Sequence, residues 1–259
     1  MFIDYTSNCD VRVEPSESET SRFGFSVGRL LVPLGCGLSD QELAQMCASS
    51  RAELIIVRAS TSRIDLGNAL RSVEGGQVIH ADVLEYFSWD LLKHRVFNMK
   101  SGRFDISQTS NYPKIEKLVR EAFADYRNHY SANPRLSRSS TVEAYLEWAK
   151  KLMESDSCRT YIATEPSISS AAGFVLTHLF NEEQTAEVLL NAVASESRRM
   201  GVFSDCMVGA AKNMQEFDHV NRIVISTQST NTVALNSWRS LGLEPWFSIN
   251  TFHVMREGM

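Results

Sequence analysis

The stretch ASESRRMGVFSDCM, from Ala194 to Met207, places two adjacent arginines and one glycine between the apolar run VLLNAV and a segment of helical periodicity. The first turn of that helix carries no acidic residue before Asp205. A helix start concentrates unpaired backbone N–H groups and partial positive charge, so adding Arg198 and Arg199 there makes chemical sense if an anion binds. Gly201 lets the backbone approach phosphate oxygens without a Cβ, and the N–H groups of Arg199, Met200, Gly201, Val202, Phe203 and Ser204 would point at them. Phe203, too large to lie against phosphates, belongs on the apolar face of the helix. Without such an anion the same residues read as a solvated loop before an ordinary helix.

A second segment, STQSTNTVALNSWRSLGL, opens a helix at Asn231, carries Ala234 and Trp238, and ends at Gly242. Asparagine is a favoured helix cap with or without a ligand, and Trp238 reads first as core. Other polar groups with possible chemistry cluster in RNHYSANPRLSR, which holds His129, Tyr130, Asn133, Arg135 and Arg138, and His253 lies near the C-terminus. Each also has a plain structural reading: a helix end, a solvated basic turn, a strand residue.

These residues need elements to position them. Residues 1–20 read as a polar lead-in, and 20–107 as a small α/β unit: a strand over 23–34, a helix from Ser39 with Glu42 at the capping-box position, a strand ELIIVRAS, a short helix and a strand GQVIHADVLEYF. Residues 108–259 begin with two amphipathic helices. In the first, Ile115, Leu118, Val119, Ala122, Phe123 and Tyr126 form one apolar face. A three-strand meander follows (CRTYIATE, AAGFVLTHLF, TAEVLLNAV), then helix, strand RIVISTQ, helix, and a final strand pair around PWFSINTFHVMR. No internal sequence repeat is visible.

Composition narrows the function classes. The net charge of −5 leaves no broad basic surface for nucleic acid or an anionic membrane. Five cysteines, Cys9, Cys36, Cys47, Cys158 and Cys206, lack paired spacing, so they are expected to be reduced thiols in a cytoplasmic protein. None of the six histidines stands at ligand spacing, so no metal site is expected. No apolar run approaches membrane-spanning length, and no phosphate-binding G-x-x-x-x-G-K-[ST] loop is present.

The order of elements over 108–259, together with VASESRRMGVF and STQSTNTVALNSWRSLGL, resembles the GNAT N-acetyltransferase superfamily, and within it most looks like the nucleotide-sugar group that includes TDP-fucosamine acetyltransferase. SRFGFSVGRL is similar to that group's opening segment. The resemblance implies an α+β GNAT fold, a mostly antiparallel mixed sheet flanked by helices, with the 20–107 unit a possible degenerate copy or a dimerisation domain. It implies acetyl-CoA as co-substrate. Its pyrophosphate would lie on Arg198 to Ser204, which match the superfamily's Q/R-x-x-G-x-G/A loop except at Phe203. A backbone N–H near Val193 would polarise the thioester carbonyl, and Asn231 and Trp238 would lie along the coenzyme. Trp238 stands where the superfamily often has a tyrosine that protonates the leaving thiolate, a role indole cannot fill. The acceptor is expected to be a primary amine of a small polar molecule, and the resemblance implies a nucleotide-linked amino sugar. His129, Tyr130 and His253 are candidates for proton transfer, and His129, Tyr130, Asn133, Arg135 and Arg138 for acceptor binding. The competing expectation is a non-catalytic acyl-CoA-binding or scaffold protein with a retired site.

Overall fold

A computed structural model describes all residues except 8–9, 73–75, 101, 137–140, 167–169 and 257–259. Alternating apolar residues and Gly, Pro and Asn turns break the chain into eight helices and ten strands among the described residues. In chain order they are α1 (Ile3–Thr6), β1 (Val13–Pro15), α2 (Glu17–Phe23), β2 (Val27–Leu31), α3 (Asp40–Ser49), β3 (Leu54–Ser60), α4 (Leu66–Ser72) and β4 (Gly76–Asp90). Next come β5 (Asp105–Gln108), α5 (Tyr112–Phe123), α6 (Thr141–Met153), β6 (Cys158–Thr164), β7 (Ala171–Phe180) and β8 (Thr185–Val193). The chain ends with α7 (Val202–Phe217), β9 (Arg222–Gln228), α8 (Thr232–Leu241) and β10 (Glu244–Arg256). No described helix is long and apolar enough to cross a membrane.

All ten strands join one sheet in the order β1-β2-β3-β10-β4-β9-β8-β7-β6-β5. The central run, β2-β3-β10-β4-β9-β8, reads the same from either end when β2, β3 and β4 are exchanged with β8, β9 and β10. Strand directions obey the same exchange: β2 with β3 and β8 with β9 are parallel, whereas the β10 pairs with β3 and β4, and β4 with β9, are antiparallel. Each half is thus strand, helix, strand, helix, strand, and each lends its last strand to the other. This is a repeat of topology that the sequence does not display.

Two local expectations are corrected. The final strand pair is one strand, β10, whose partners β3 and β4 come from the first half. The polar lead-in is structured: Phe2 and Tyr5 are buried against Tyr86, Val224 and Ile249, and Glu19 on α2 is 1% exposed. Glu19 turns inward because Arg29 meets it there, with Nε and Nη2 donating to its two oxygens at 2.7 and 2.8 Å. A tertiary ion pair of this kind leaves no trace in local periodicity.

Helices cover both faces. On the back, α3 and α4 pack on the first half through Leu43, Cys47, Leu66 and Leu70, and α7 and α8 on the second through Cys206, Met207, Ala211, Met214 and Trp238. On the front, α5 and α6 cover β6 to β8 through Ile115, Leu118, Val119, Leu146 and Ala149. The front of the central strands is left to α1, α2 and a 3-10 turn, His129–Ala132.

Candidate active site

Strands β8 and β9 are paired only from Thr185–Arg222 to Val188–Ile225. Beyond that, β8 continues along β7 as far as Val193–Gly173, while β9 continues along β4 as far as Gln228–Leu84. The two strands therefore part, leaving an open wedge between adjacent ribbons. Its vertex is a bulge: the β7 register jumps from Leu176–Leu190 to Thr177–Val188 and leaves Leu189 without a partner. An extra residue bends the bulged strand and breaks the ladder, which is how the parting begins. Val193, half-buried, ends β8 at the open side of the wedge.

The arginine-glycine segment lies directly beyond that opening. Arg199 and Gly201 both adopt left-handed backbone, at φ 65° and 84°. The arginine pays a strain of roughly 1–2 kcal/mol to do so, and such residues turn successive amides toward one side. No side chain caps α7, and a Cβ on Gly201 would meet nothing within 4 Å. Arg198, Arg199 and Met200 are exposed, Val202 is buried, and Phe203 packs partly on the core, as its size requires. Ser204 is half-buried. Asp205, the nearest acid of α7, is drawn off: its Oδ2 accepts the N–H groups of Arg103 and Phe104 at 2.8 and 3.2 Å. Close packing sets the helix start against the sheet, because a Cβ on Gly173 would lie 2.8 Å from both Ala192 O and a Val202 methyl. From α5, Glu121 accepts the N–H of Ser195 and ties down the approach to the loop.

Asn231 caps α8, its side chain accepting the Ala234 N–H at 3.3 Å while its Nδ2 donates to Thr227 Oγ1 at 3.0 Å. Trp238 is buried in the core, edge-on to Phe87 at 5.5 Å. Its contribution to the site is the seating of α8.

His129, Tyr130, Asn133 and His253 come together beneath the 3-10 turn. The Asn133 Oδ1 accepts the Arg135 N–H at 3.1 Å, so its Nδ2 faces His253 Nδ1 at 3.3 Å. That nitrogen must then be the acceptor, which puts the His253 proton on Nε2 and directs it to His129 Nδ1, 2.9 Å away. Both rings are neutral: burial, then Arg58, pushes His253 down to about 4 and His129 well below its usual value. With this network intact, every imidazole lone pair is engaged, so neither ring has one free to take a proton from an acceptor. His129 and His253 thus form a buried, neutral, mutually hydrogen-bonded pair. Burial raises the Tyr130 phenol to about 12, and its O–H donates to Glu19. Burial works to raise the Glu19 carboxyl as well, but Arg29 and Tyr130 hold it at about 2. Arg135 is exposed at the edge of this cluster. Arg138 lies outside the described residues.

One strand, β4, separates β10 from β9, and His253 pairs with Ile79, well beyond the Leu84 that faces Gln228, so the histidines are set off from the wedge along the strands as well as across them. The side chains between are ones that local sequence patterns do not mark. Tyr126, read from periodicity as part of an apolar face, donates its O–H to Gln228 at the end of β9. Arg58, Thr251 and Asp82 stand side by side in register on β3, β10 and β4. In all three, side-chain polar atoms are buried without a partner among the described residues. The available sequence signal was Arg58 inside the otherwise apolar β3, whereas Asp82 is one of several polar residues along β4. Two surface hollows, of about 630 Å³ between α3 and α4 and about 300 Å³ around Pro33 and Gly35, lie in the first half away from the wedge.

No protein-family model and no curated protein sequence matches the chain. Solved structures do. A GCN5-related N-acetyltransferase from Kribbella flavida superposes with a TM-score of 0.63 at 11% identity, over 99% of this chain and 91% of that one. A tandem GNAT protein from the clavulanic acid biosynthesis pathway gives 0.59 at 12% identity, over 90% and 76%. A conserved protein of unknown function from Staphylococcus epidermidis gives 0.56 at 13%, over 98% and 94%. At such identities the likeness speaks for the fold. The uncapped helix start beyond two parting strands, set in a mixed sheet between helical layers, is therefore carried on a GNAT fold.

Proposed function

We propose that the protein is an acyl-CoA-dependent N-acetyltransferase acting on a primary amine of a small polar acceptor. The observation that carries this reading is the wedge between β8 and β9 opening directly onto the uncapped start of α7. A diphosphate would lie on the amides of Arg199 to Ser204, with Arg198 and Arg199 supplying charge-assisted contacts. The pantetheine arm would take the place of the missing β8–β9 ladder, using backbone groups along 189–193 and 226–228 that the sheet leaves free. Bound there, acetyl-CoA supplies an activated acyl carbon.

The chain's own part is positioning. It holds an amine at the front of the wedge, beside Tyr126 and Gln228, and the amide edge near Val193 orients the thioester carbonyl. Starting from the acceptor's ammonium form, which first loses a proton to become the nucleophile, transfer forms an amide C–N bond, breaks the thioester C–S bond and yields the CoA thiol, with one net proton released to solvent. No tyrosine replaces Trp238 as a thiolate partner within α8, so the leaving group takes its proton from solvent or from Tyr126.

Isothermal titration with acetyl-CoA and CoA tests the first half of this reading: affinity below millimolar supports it, and no heat at millimolar ligand ends it. Thiol release over a panel of amines then separates an enzyme from a non-catalytic acyl-CoA binder, which would bind and not turn over. A nucleotide-linked amino sugar, the acceptor that the sequence resemblance implies, belongs in that panel. Arg135, exposed at the edge of the histidine cluster, is available for its phosphates.

A further inference from the structure

The front of the sheet's centre holds an arrangement that folding alone does not explain. Arg58 and Asp82 flank Thr251 on neighbouring strands, about 10 Å apart at their Cα atoms. Arg58 Nε, Thr251 Oγ1 and both carboxylate oxygens of Asp82 are buried with no hydrogen-bond partner of good geometry among the described residues, although Thr251 and Gln228 stand near enough to Asp82, and Arg58 near enough to Tyr5, for weak hydrogen bonding to lower the Asp82 carboxyl and the Tyr5 phenol. The guanidinium and the carboxylate do not meet each other either. Unpaired buried polar atoms are costly, and charged ones most of all. Native structures rarely carry them in a cluster unless something outside the chain completes it.

The surroundings say what is missing. Arg29 is already matched by Glu19, and the His129–His253 pair is neutral. Tyr5, Tyr86 and Tyr130 surround Arg58 with phenols. Burial raises the Asp82 carboxyl, and weak hydrogen bonding from Thr251 and then the charge of Arg58 work against it. The front of the sheet's centre thus holds one positive and one negative charge, neither of them in an ion pair among the described residues, on opposite sides of a hydroxyl. A purely cationic ligand would leave Arg58 alone, and a purely anionic one would leave Asp82 alone. Both residues keep part of their surface open while these atoms stay covered.

We infer that the acceptor is a zwitterion, an amino acid in the broad sense, with its carboxylate on Arg58 and Thr251 and its ammonium at Asp82. The orientation agrees with acyl transfer, on which this inference rests. Asp82 is on β4, the strand next to β9 and the wedge, whereas Arg58 is two strands further away. The amine end therefore lies toward the thioester and the carboxylate end away from it.

The test uses the full chain with acetyl-CoA and reads both thiol release and calorimetric binding in the presence of CoA. Its probes are the free L-α-amino acids, glycine, β-alanine and γ-aminobutyrate as a ruler of charge separation, the methyl esters of each, and the matching hydroxy acids. Wild-type protein should favour a free amino acid over its ester by roughly 10- to 100-fold in kcat/KM, the range expected for one charge-assisted contact. In Arg58→Gln that ratio should collapse to near one, a readout that partial misfolding does not mimic. Asp82→Asn should lose acceptor binding and yet gain thermal stability, because it relieves an unpaired buried charge. An ester turned over as well as its acid, or Asp82→Asn melting lower than wild type, overturns the inference while leaving acyl transfer intact. CoA binding with no response to any zwitterion also overturns it. Failure to bind CoA at all is the separate failure of the reading beneath it.

Discussion

The helices α3 and α7 hold equivalent places in the two halves, each following the outer strand of its parallel pair and lying on the back of the sheet. Their starts are built for opposite purposes. Ser39 caps α3 and accepts the Glu42 N–H at 3.3 Å, while Glu42 bonds back to the Ser39 N–H at 2.7 Å. With Asp40 beside them, acids occupy the positive end of that helix. The α7 start has no side-chain cap, left-handed Arg199 and Gly201, and two exposed arginines. The strands differ in the same sense. Every residue of β2 is paired with β3, from Val27–Leu54 to Leu31–Arg58, while β8 and β9 separate after four pairs. One topology thus gives a sealed half that fills its own helix terminus and an open half that leaves the same groups to a ligand. The lesson is that a fold supplies a place for a phosphate, and a few terminal residues decide whether it stays available.

If the first half is a packing unit, breaking its interior should cost stability above all. Glu19→Gln removes the buried charge that matches partly exposed Arg29 and should destabilise the protein by about 1–3 kcal/mol, solvent screening of Arg29 reducing the effect below that of a fully buried pair, read by urea unfolding. A change below 1 kcal/mol would mean that the pair is not buried in solution.

Acid should act on the same region. His253 has a native value near 4 against an ordinary 6.5, so between those values the unfolded chain binds a proton that the native state refuses. Its contribution, about 3 kcal/mol, is present above pH 6.5 and disappears as pH falls to 4. Glu19, lowered to about 2 from 4.5, adds a loss between pH 4.5 and 2. Denaturant midpoints measured across pH should therefore fall on acidification from 6.5, and His253→Gln should flatten the upper part of that limb.

The comparison can also be broken by moving a piece of one half into the other. Ser204 occupies in α7 the position that Glu42 occupies in α3, so Ser204→Glu places a carboxylate on the open helix start. CoA affinity should drop about 100-fold with little change in melting temperature. The double change Arg198→Ala and Arg199→Ala should weaken CoA by roughly 10- to 30-fold, losing charge and keeping the amides. Calorimetry reads both, and unchanged affinity in both places the diphosphate elsewhere. The smallest effect belongs to the sealed half: Ser39→Ala should cost about 1 kcal/mol of stability and leave CoA binding untouched.

Much of this was legible in linear order. The Ser39–Glu42 box, the apolar face of α5, the meander β6 to β8 and the glycine-arginine loop are local patterns, carried by residues within one or two turns of each other. What escaped were pairings between distant residues. Glu19 looked like part of a polar lead-in because Arg29 meets it only in three dimensions. His129 and His253 looked like free bases, and the bonds that use up their lone pairs join residues 124 apart in the chain.

The sequence by itself determined where helices and strands begin, which helix start is left uncapped and which is filled, and hence which start keeps its amides free of side-chain partners. Each of those depends on the spacing of neighbours along a periodic backbone. Only the tertiary structure decided that β10 enters the first half and β4 the second, that β8 and β9 part at Leu189, and that Arg58, Thr251 and Asp82 stand in one row. Those facts depend on strand register, and register is settled between segments far apart in the chain, by the packing of whole faces against one another.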